Sequence, residues 1–418
     1  MKENCEYRAT NSGKCYFGPK KKNNSDEIHI GTENKIQFIE SYVEGWINKL
    51  LNGPYPYESL VFVDAMSSCG EYINKNKEKI EGTSLRVLKL FNKYANSEKY
   101  KGKKYYLIVN DLEEREIECQ KCRINSIGKN KNVFTIETVS DVKDFLINPG
   151  NFLPKAENFH LLLLYDPYKV NILWKELKHF LTVPISKNGS KLKFDLIITH
   201  FGQHDTLRLD LDNIKDEVKN RLENSYKMSL DKLSELLGND SEFEKKRKLR
   251  ERFREVIADE LQVDERDISY APVFNKLNKD VYDIVFYSTD SKARQLFKKT
   301  IYLATKDRLK SSESYGQLDL NLSVSDDEKY HASIEELREI QYYYSAKSYA
   351  SIVAHYFAGK EITNDQLKDF LINHEFIPSE SVKTDLDKFL KDLHGVKICS
   401  KPSKTYVFQT INGDRTKI

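Results

Sequence analysis

The chain has 418 residues, which is enough for two domains or for one large domain with an appendage. Its 67 Lys and Arg residues nearly balance 64 Asp and Glu residues, and the formal charge of +3 does not by itself indicate a nucleic-acid partner. No apolar stretch approaches the roughly 20 residues of a membrane-spanning helix, and the first residues lack the apolar segment of a signal peptide. We therefore expect a cytoplasmic protein that does not enter a membrane.

Six cysteines are scattered along the chain without the spacing of a disulfide framework, so reduced thiols are expected. Cys119 and Cys122 have the spacing of a zinc knuckle or a redox pair, but they lie in a segment, 112–127, that is predicted to be helical. No second pair of Cys or His residues follows at zinc-finger distance. We predict no metal site, with the alternative that Cys5 and Cys15 complete a four-thiolate site in space.

Strands and helices are predicted to alternate through the first half of the chain. An amphipathic helix over 36–50 is followed by five strands, with helical segments between them, at 60–64, 105–111, 133–137, 160–165 and 194–200. This alternation implies right-handed crossovers and a parallel, doubly wound sheet. Two later strands, near 269–274 and 282–288, are close enough in sequence to pair antiparallel. Five parallel strands and a closing hairpin are typical of the Rossmann-like α/β fold of class I methyltransferases.

The end of the chain has the parts of a winged helix. Three helices are predicted from 345 to 393, the second opened by a capping box at 363–366, and a hairpin follows at 396–409. The third helix would offer Lys383 and Lys388 to a nucleic-acid groove. The alternative is a module for interaction or dimerisation. The predicted domains are an extension with a helix at 1–55, a methyltransferase-like domain at 56–325 with a helical insertion at 213–262, and a winged helix at 333–418.

A candidate catalytic segment follows the fourth strand. That strand is a continuous apolar run, typical of burial on both faces of a parallel sheet, and it ends in Asp166, Pro167 and Tyr168. Ligands of such sheets bind beyond the carboxyl ends of the strands. Asp-Pro-Tyr resembles the Asp-Pro-Pro-Tyr element of amino-group methyltransferases, in which the acid accepts a hydrogen bond from the target nitrogen and the ring stacks on the base. Such contacts orient the nitrogen toward the methyl group.

A cofactor with an adenosyl group needs a tight turn after the first strand and an acid at the end of the second. Asp111 is the candidate acid. The candidate residues of the turn and its flanks are Asp64, Ser67, Ser68, Gly70 and Tyr72. Together they predict a cofactor pocket at the same edge of the sheet as Asp166.

Two further clusters have functional and structural interpretations. His200, with His204 and Asp205 after the fifth strand, could act as a general base or contact the substrate, but could also form a structural lip of the cleft. A metal is less favoured there, because Gly202 interrupts the helix that would aim both rings together. Lys246, Arg250 and Arg254 share one face of a predicted helix and could contact phosphates, whereas acidic neighbours favour a solvated face with internal ion pairs.

With these residues in place, the chain resembles the three-Cys-motif partner proteins of bacteria, methyltransferase-like proteins named for a neighbouring protein with a three-cysteine motif. The family opens with the helix pattern Lys-x-x-x-Leu-x-x-Tyr-x-x-x-Trp, its first loop runs Asp-x-Phe-Ala-Gly-Pro-Gly-x-Tyr, and its fourth strand ends in Asp-Pro-Phe/Tyr. The similar residues here are Lys35, Ile39, Tyr42 and Trp46 in the helix, Asp64, Gly70 and Tyr72 in the loop, Asp166, Pro167 and Tyr168 after the strand, then Trp174, a late strand at 282–289 and a closing winged helix.

The resemblance implies S-adenosylmethionine as cofactor, bound by Asp64, Ser67, Ser68, Gly70, Tyr72 and Asp111. It also implies a partner protein with the three-cysteine motif. The first glycine of the family loop is Ser68 here and its proline is Cys69, and a side chain there obstructs the approach of backbone to cofactor. Two hypotheses follow. One is a methyltransferase acting on RNA or DNA, with His200 and the Asp166 segment at the acceptor; the other is a non-catalytic adaptor that recruits nucleic acid or a partner protein through its winged helix.

Overall fold

The computed structural model describes residues 30–53, 56–73, 79–154, 158–167, 172–182, 193–200, 215–274, 280–318, 334–379, 381–393, 395–399 and 404–409. Two compact units divide the chain: 1–265 with 281–288, and 266–280 with 289–418. The chain therefore passes to the second unit well before the domain boundary expected near residue 333. No helix among the described residues is both long and apolar enough to cross a membrane.

The elements of the first part of the chain are, in order, α1 (Ile30–Asn52), β1 (Ser59–Asp64), β2 (Glu71–Ile73), β3 (Lys79–Glu81), α2 (Thr83–Ala95), β4 (Lys104–Asp111), α3 (Glu114–Ile127), β5 (Val133–Val139), α4 (Val142–Ile147), β6 (Phe159–Tyr165), α5 (Trp174–Thr182) and β7 (Lys193–His200). They are followed by α6 (Asp216–Tyr226), α7 (Leu230–Leu237), α8 (Glu242–Leu261), β8 (Ile268–Phe274), β9 (Asp280–Tyr287), α9 (Ser291–Leu318), α10 (Ile334–Tyr344), α11 (Ala346–Tyr356), β10 (Glu361–Thr363), α12 (Asn364–Asn373), α13 (Lys383–Asp392), β11 (Val396–Cys399) and β12 (Thr405–Phe408).

A mostly parallel sheet forms the centre of the first unit. Its strands lie in the order β5, β4, β1, β6 and β7, all parallel, and β9 then pairs antiparallel with β7. Every residue of β1 and β6 is buried, as expected for strands covered on both faces. The predicted α/β class with five parallel strands is confirmed. The strand order reverses between β1 and β6, so the ligand crevice of such a sheet is expected beyond their carboxyl ends.

Helix α1 is fixed to this sheet by its apolar face. Tyr42, Trp46 and Ile47 are fully or almost fully buried, and the Tyr42 ring meets Phe286 of β9 edge to face at 5.1 Å. The indole of Trp46 donates a hydrogen bond of 3.0 Å to Asp195 on β7. A buried polar group needs such a partner, so this bond fixes the register of the helix on the sheet. The helix begins six residues before the predicted start.

A small antiparallel pair, β2 with β3, separates the loop after β1 from α2. The sequence analysis did not predict it, because strands of three residues give too short a pattern of alternation. The backbone N–H of Gly82, after β3, donates to the carbonyl of Gly70, before β2, at 2.7 Å, so the two ends of this pair of strands lie next to each other. Helix α2 then starts directly above the end of β1.

The second unit contains the parts that were predicted for its end. Helices α11, α12 and α13 are present, and β10, β12 and β11 form an antiparallel sheet in that order. The predicted capping box is confirmed: Thr363 and Gln366 exchange hydrogen bonds at the start of α12. At the other end of α12, the buried ammonium of Lys298 donates to the backbone carbonyls of Leu371, Ile372 and His374. It satisfies carbonyls that a helix end leaves without partners.

Candidate functional site

Two carboxylates stand side by side at the reversal of strand order. Asp64 is the last residue of β1, and Asp166 directly follows β6, the parallel neighbour of β1. The Asp166 side chain is 23% exposed, and its Oδ2 accepts a hydrogen bond of 2.5 Å from Nζ of Lys35 on α1. Pro167 is buried beside it, whereas Tyr168 lies outside the described residues. Asp166 thus lies at the carboxyl edge of the sheet, where the ligand crevice is expected, and it is paired with a cation that was not predicted to belong to the site.

Asp64 is held in a less exposed position than Asp166. The residue is 4% exposed, and its Oδ2 accepts a hydrogen bond of 2.5 Å from the Ser84 hydroxyl at the start of α2. Burial raises the pKa of Asp64 to about 7, and the nearby Asp166 carboxylate acts in the same direction, while Ser84 and Lys35 oppose them. At neutral pH this carboxyl group is therefore divided between its protonated and ionised forms.

Two tyrosines line the same cluster. The ammonium of Lys35 lies 5.7 Å from the centroid of the Tyr282 ring, and a hydrogen bond joins the Tyr282 hydroxyl to the backbone of Lys35. Burial, with Asp166 acting in the same direction, raises the pKa of the Tyr282 hydroxyl well above its usual value. Burial likewise raises the pKa of Tyr72 on β2. Both phenols therefore stay protonated at neutral pH.

The loop after β1 is fixed by the end of β4 and by α3. The backbone N–H of Ser67 donates to the Asn110 carbonyl at 2.8 Å, and its hydroxyl donates to Gln120 at 2.7 Å. The N–H of Ser68 donates to Oδ2 of Asp111 at 2.9 Å. Arg123 donates to the carbonyl of Cys69 at 2.6 Å. Asp111 therefore holds the backbone of the predicted cofactor loop.

Ser68 adopts the left-handed backbone conformation that glycine adopts most readily. Its φ is +53°, and Gly70 follows at +77°. The loop thus keeps a glycine-type backbone conformation at the position where the resembled family has its first glycine, and only the side chain is added. The Ser68 hydroxyl is hydrogen-bonded to Tyr72 and to Glu116.

Glu116, in the first turn of α3, is a second site residue that the sequence analysis missed. Burial raises the pKa of Glu116 to about 7, and the like charges of Asp111 and Glu113 add to this effect, against the hydrogen bond from Ser68. The residue follows Asp111 by five positions at the start of a helix, and this spacing is the only signal in the sequence. Asp111 and Glu116 thus place two carboxyl groups on the cofactor side of the expected crevice.

His200 lies in a sealed cluster rather than in the cleft. The residue is 2% exposed, and its ring stacks on Phe253 of α8 with 3.7 Å between centroids. Its Nε2 is 3.4 Å from the Tyr226 hydroxyl. The buried Asp283 on β9 accepts a hydrogen bond of 2.9 Å from Arg250 and lies 4.0 Å from Nδ1 of His200. This buried position fits the interpretation of His200 as a structural residue. It does not fit the expected contact of His200 with an acceptor. His204 and Asp205 lie outside the described residues.

The basic face of α8 is turned into the protein. Lys246 and Arg250 are 5% and 3% exposed, and they share their face with the buried Leu249 and Phe253. Arg254 pairs with Glu265 at 2.7 Å. The burial of Lys246 and Arg250 and the ion pair of the half-buried Arg254 with Glu265 do not fit the expectation that these residues contact phosphates. The long aliphatic stems of Lys and Arg let such residues join an apolar helix face.

Lys383 and Lys388 lie on α13 of the second unit. Lys388 is exposed and Lys383 is half-buried. On the same helix, Asp387 accepts hydrogen bonds from Lys404 at 2.5 Å and from the Tyr406 hydroxyl at 2.8 Å, which ties α13 to the hairpin. Binding of nucleic acid by Lys383 and Lys388 stays a prediction.

Comparison with known proteins gives matches among solved structures alone. No protein-family model matches the chain, and no curated protein sequence matches it. Protein LPL1258 from Legionella pneumophila str. Philadelphia 1, of family model DUF519, is 11% identical over 66% of this chain and 93% of its own, with a TM-score of 0.37. The O-methyltransferase from Bacillus cereus, in complex with SAH, is 11% identical over 63% of this chain and 84% of its own, with a TM-score of 0.30.

A third similar structure is geranyl diphosphate C-methyltransferase from Streptomyces coelicolor A3(2), in complex with Mg2+, geranyl diphosphate and S-adenosyl-L-homocysteine. It is 10% identical over 64% of this chain and 87% of its own, with a TM-score of 0.29. At such low TM-scores these likenesses assign neither a family nor a substrate to the chain. The resemblance to the three-Cys-motif partner family stays a prediction.

Proposed function

We propose that the chain is a methyltransferase that uses S-adenosylmethionine and acts on a nucleic acid, RNA or DNA, at an amino nitrogen. The observation that carries this proposal is the placement of Asp64 and Asp166 side by side where the strand order reverses. The fixed loop of Ser67, Ser68 and Gly70 and the acid Asp111 supply the cofactor side of the same crevice. The antiparallel β9 next to β7 agrees with the class I methyltransferase plan.

The residues present fit an adenosyl cofactor. Asp111 and Glu116 provide carboxyl oxygens for ribose hydroxyls, and the glycine-type conformation at Ser68 and Gly70 brings backbone to the crevice. Asp64, in contact with Ser84 at the start of α2, and Tyr72 would line the opposite side. S-adenosylmethionine supplies an electrophilic methyl group when it is bound. The task of the protein is then to place a nucleophile in line with that group.

Asp166 would hold the acceptor. Its Oδ2 faces Lys35, so Oδ1 is the atom that would accept a hydrogen bond from the N–H of the acceptor. This bond turns the nitrogen lone pair toward the methyl carbon. The new N–C bond forms as the S–C bond breaks, and the electron pair stays on sulfur. The proton lost by nitrogen passes to Asp166 and from there to solvent, which reaches the partly exposed carboxylate.

Calorimetry with S-adenosylhomocysteine tests the cofactor site directly. We expect the wild type to bind it and Asp111→Ala to weaken binding about tenfold or more. Asp111 accepts N–H bonds from Ser68 of the loop after β1 and from Glu113 before α3, so its loss releases both segments. Asp166→Ala should keep this binding but abolish methyl transfer to nucleic acid. Activity of Asp166→Ala equal to that of the wild type would contradict the role of Asp166.

The Ser68 side chain favours a second function, that of a non-catalytic adaptor. Its hydroxyl, bonded to Tyr72 and Glu116, lies on the cofactor side of the loop. If the cofactor cannot enter, the second unit would recruit nucleic acid or a protein with the three-cysteine motif. This hypothesis predicts no binding of S-adenosylhomocysteine. For a nucleic-acid partner it predicts a salt dependence of binding that is reduced in Lys383→Ala and in Lys388→Ala.

A further inference from the structure

We propose that Lys35 is the positioning residue of the acceptor site: it fixes the ionised carboxylate of Asp166 in the orientation that methyl transfer needs. The proposal rests on the methyltransferase function proposed above and assigns a role to a residue of α1, 131 positions away from Asp166 in the sequence. It also restricts the acceptor to a neutral group that donates a hydrogen bond, such as an exocyclic amine.

The geometry around Lys35 allows it little freedom. The residue is 7% exposed, its ammonium bonds to Oδ2 of Asp166 at 2.5 Å, and the Tyr282 ring lies on one side of it. The Tyr282 hydroxyl is hydrogen-bonded to the backbone of Lys35 itself, and the buried Trp46 fixes α1 to β7 further along the helix. Within the described parts of the chain, no other hydrogen bond reaches the Asp166 carboxylate. Among the described residues, Lys35 is therefore the group that orients the Asp166 carboxylate by a hydrogen bond.

The charges of the cluster show why a cation is needed there. Asp64 on β1, Tyr72 on β2 and Tyr282 on β9 face the pair of Lys35 and Asp166. Two of the five groups are carboxyls, and Lys35 is the one cation among these five. Two neighbouring carboxyls repel each other when both are charged, and a nearby cation opposes that repulsion. Without Lys35, Asp166 would lose the contact that holds its carboxyl group in the orientation for the acceptor.

The ion pair of Lys35 and Asp166 also favours amino acceptors over hydroxyl acceptors. Transfer to an alcohol needs a general base strong enough to remove the hydroxyl proton. A carboxylate that is already bonded to an ammonium is a weak base, but it remains a good hydrogen-bond acceptor. An amino nitrogen needs only that acceptor, because neutral nitrogen is a better nucleophile than neutral oxygen and can attack the methyl group before its proton leaves.

The experiment compares the wild type with Lys35→Met, Lys35→Arg and a control, Lys93→Met. Lys93 forms an ion pair of the same length with Glu44 of α1, but it does so on the surface. The probes are RNA transcribed in vitro and DNA amplified in vitro with one common sequence, assayed with radiolabelled S-adenosylmethionine. Affinity for S-adenosylhomocysteine is measured in parallel, and Trp46 emission checks that α1 is docked.

We expect Lys35→Met to lower kcat about 100-fold at unchanged KM and unchanged affinity for S-adenosylhomocysteine. Lys35→Arg should recover much of the rate, and Lys93→Met should behave as the wild type. Adding Asp166→Asn to the Lys35→Met variant should lower kcat by a smaller factor than Asp166→Asn does in the wild type.

The outcomes separate the two proposals. A wild type that binds no S-adenosylhomocysteine, or that methylates neither probe, overturns the proposed function and the inference with it. An active wild type with a Lys35→Met variant within twofold of it overturns only the role of Lys35. Loss of S-adenosylhomocysteine binding in a folded Lys35→Met variant also overturns that role, because Lys35 would then serve the cofactor pocket.

Discussion

Two ion pairs near the carboxyl edge of the sheet in the first unit, Lys35 with Asp166 and Arg250 with Asp283, differ in their access to solvent. Lys35 and Asp166 have side chains 9% and 23% exposed, whereas those of Arg250 and Asp283 are each 1% exposed. The first pair joins a helix to the residue that follows β6, and the second joins a helix to β9, beside the end of β7. Only the first can meet a ligand without unfolding of the protein. The residue types alone do not separate a structural pair from a functional one; access to the crevice does.

The sealed pair should have the largest effect on stability. Arg250→Met leaves the Asp283 carboxylate buried without its guanidinium, and we expect a loss of about 3–5 kcal/mol in the free energy of unfolding. Urea denaturation followed by tryptophan emission measures this loss. The double variant Arg250→Met/Asp283→Asn should recover part of it, because the uncompensated charge is then removed. A loss close to that of a surface pair would mean that water reaches Asp283, and the distinction between the two pairs would fail.

The pH dependence of stability should sharpen the comparison, since the pKa values of Asp64 and Asp283 are shifted in opposite directions. Burial raises the pKa of Asp64 to about 7, so the folded chain binds more protons than the unfolded chain between about pH 4 and pH 7. Stability from this group is greatest below that window and falls as the pH rises through it. At Asp283, burial would raise the pKa, but Arg250 and His200 hold it below its usual value, so its contribution is lost on acidification.

Asp64→Asn is expected to flatten the decline of stability between about pH 4 and pH 7 and to stabilise the first unit at pH 7 relative to the wild type. Urea denaturation at several pH values measures both effects. Asp144→Asn, at an exposed site on α4, is the matched control and should leave the decline unchanged. An unchanged slope in Asp64→Asn would mean that Asp64 is ionised throughout this range.

The smallest effect is expected from the exposed pair of Lys93 and Glu44. Nζ of Lys93 and Oε1 of Glu44 are 2.5 Å apart, the same distance as in the pair of Lys35 and Asp166, but the side chains of Lys93 and Glu44 are 65% and 40% exposed. Solvent screens such a pair, so Lys93→Met should leave the urea midpoint within experimental error. A clear loss of stability would show that contact distance, rather than burial, ranks the ion pairs of this chain.

The central strands could be predicted from the sequence because burial on both faces produces unbroken apolar runs, as in β6. The same runs placed Asp64 and Asp166 at strand ends, and the structure brings these two residues together. Lys35 could not be assigned to them, because a contact over 131 positions depends on how α1 docks. The inward turn of Lys246 and Arg250 was missed because an amphipathic helix with long cationic side chains has the same periodicity with either face buried.

The two tryptophans of the chain, Trp46 and Trp174, both lie in the first unit, and the second unit has many tyrosines but no tryptophan. Excitation at the red edge of protein absorption therefore reports on the first unit alone, with no label added. Trp46 is bonded to Asp195 and belongs to the helix that carries Lys35, so the combined emission of Trp46 and Trp174 includes a signal for the docking of α1. The chain thus provides its own probe for the unfolding of one unit in the presence of the other.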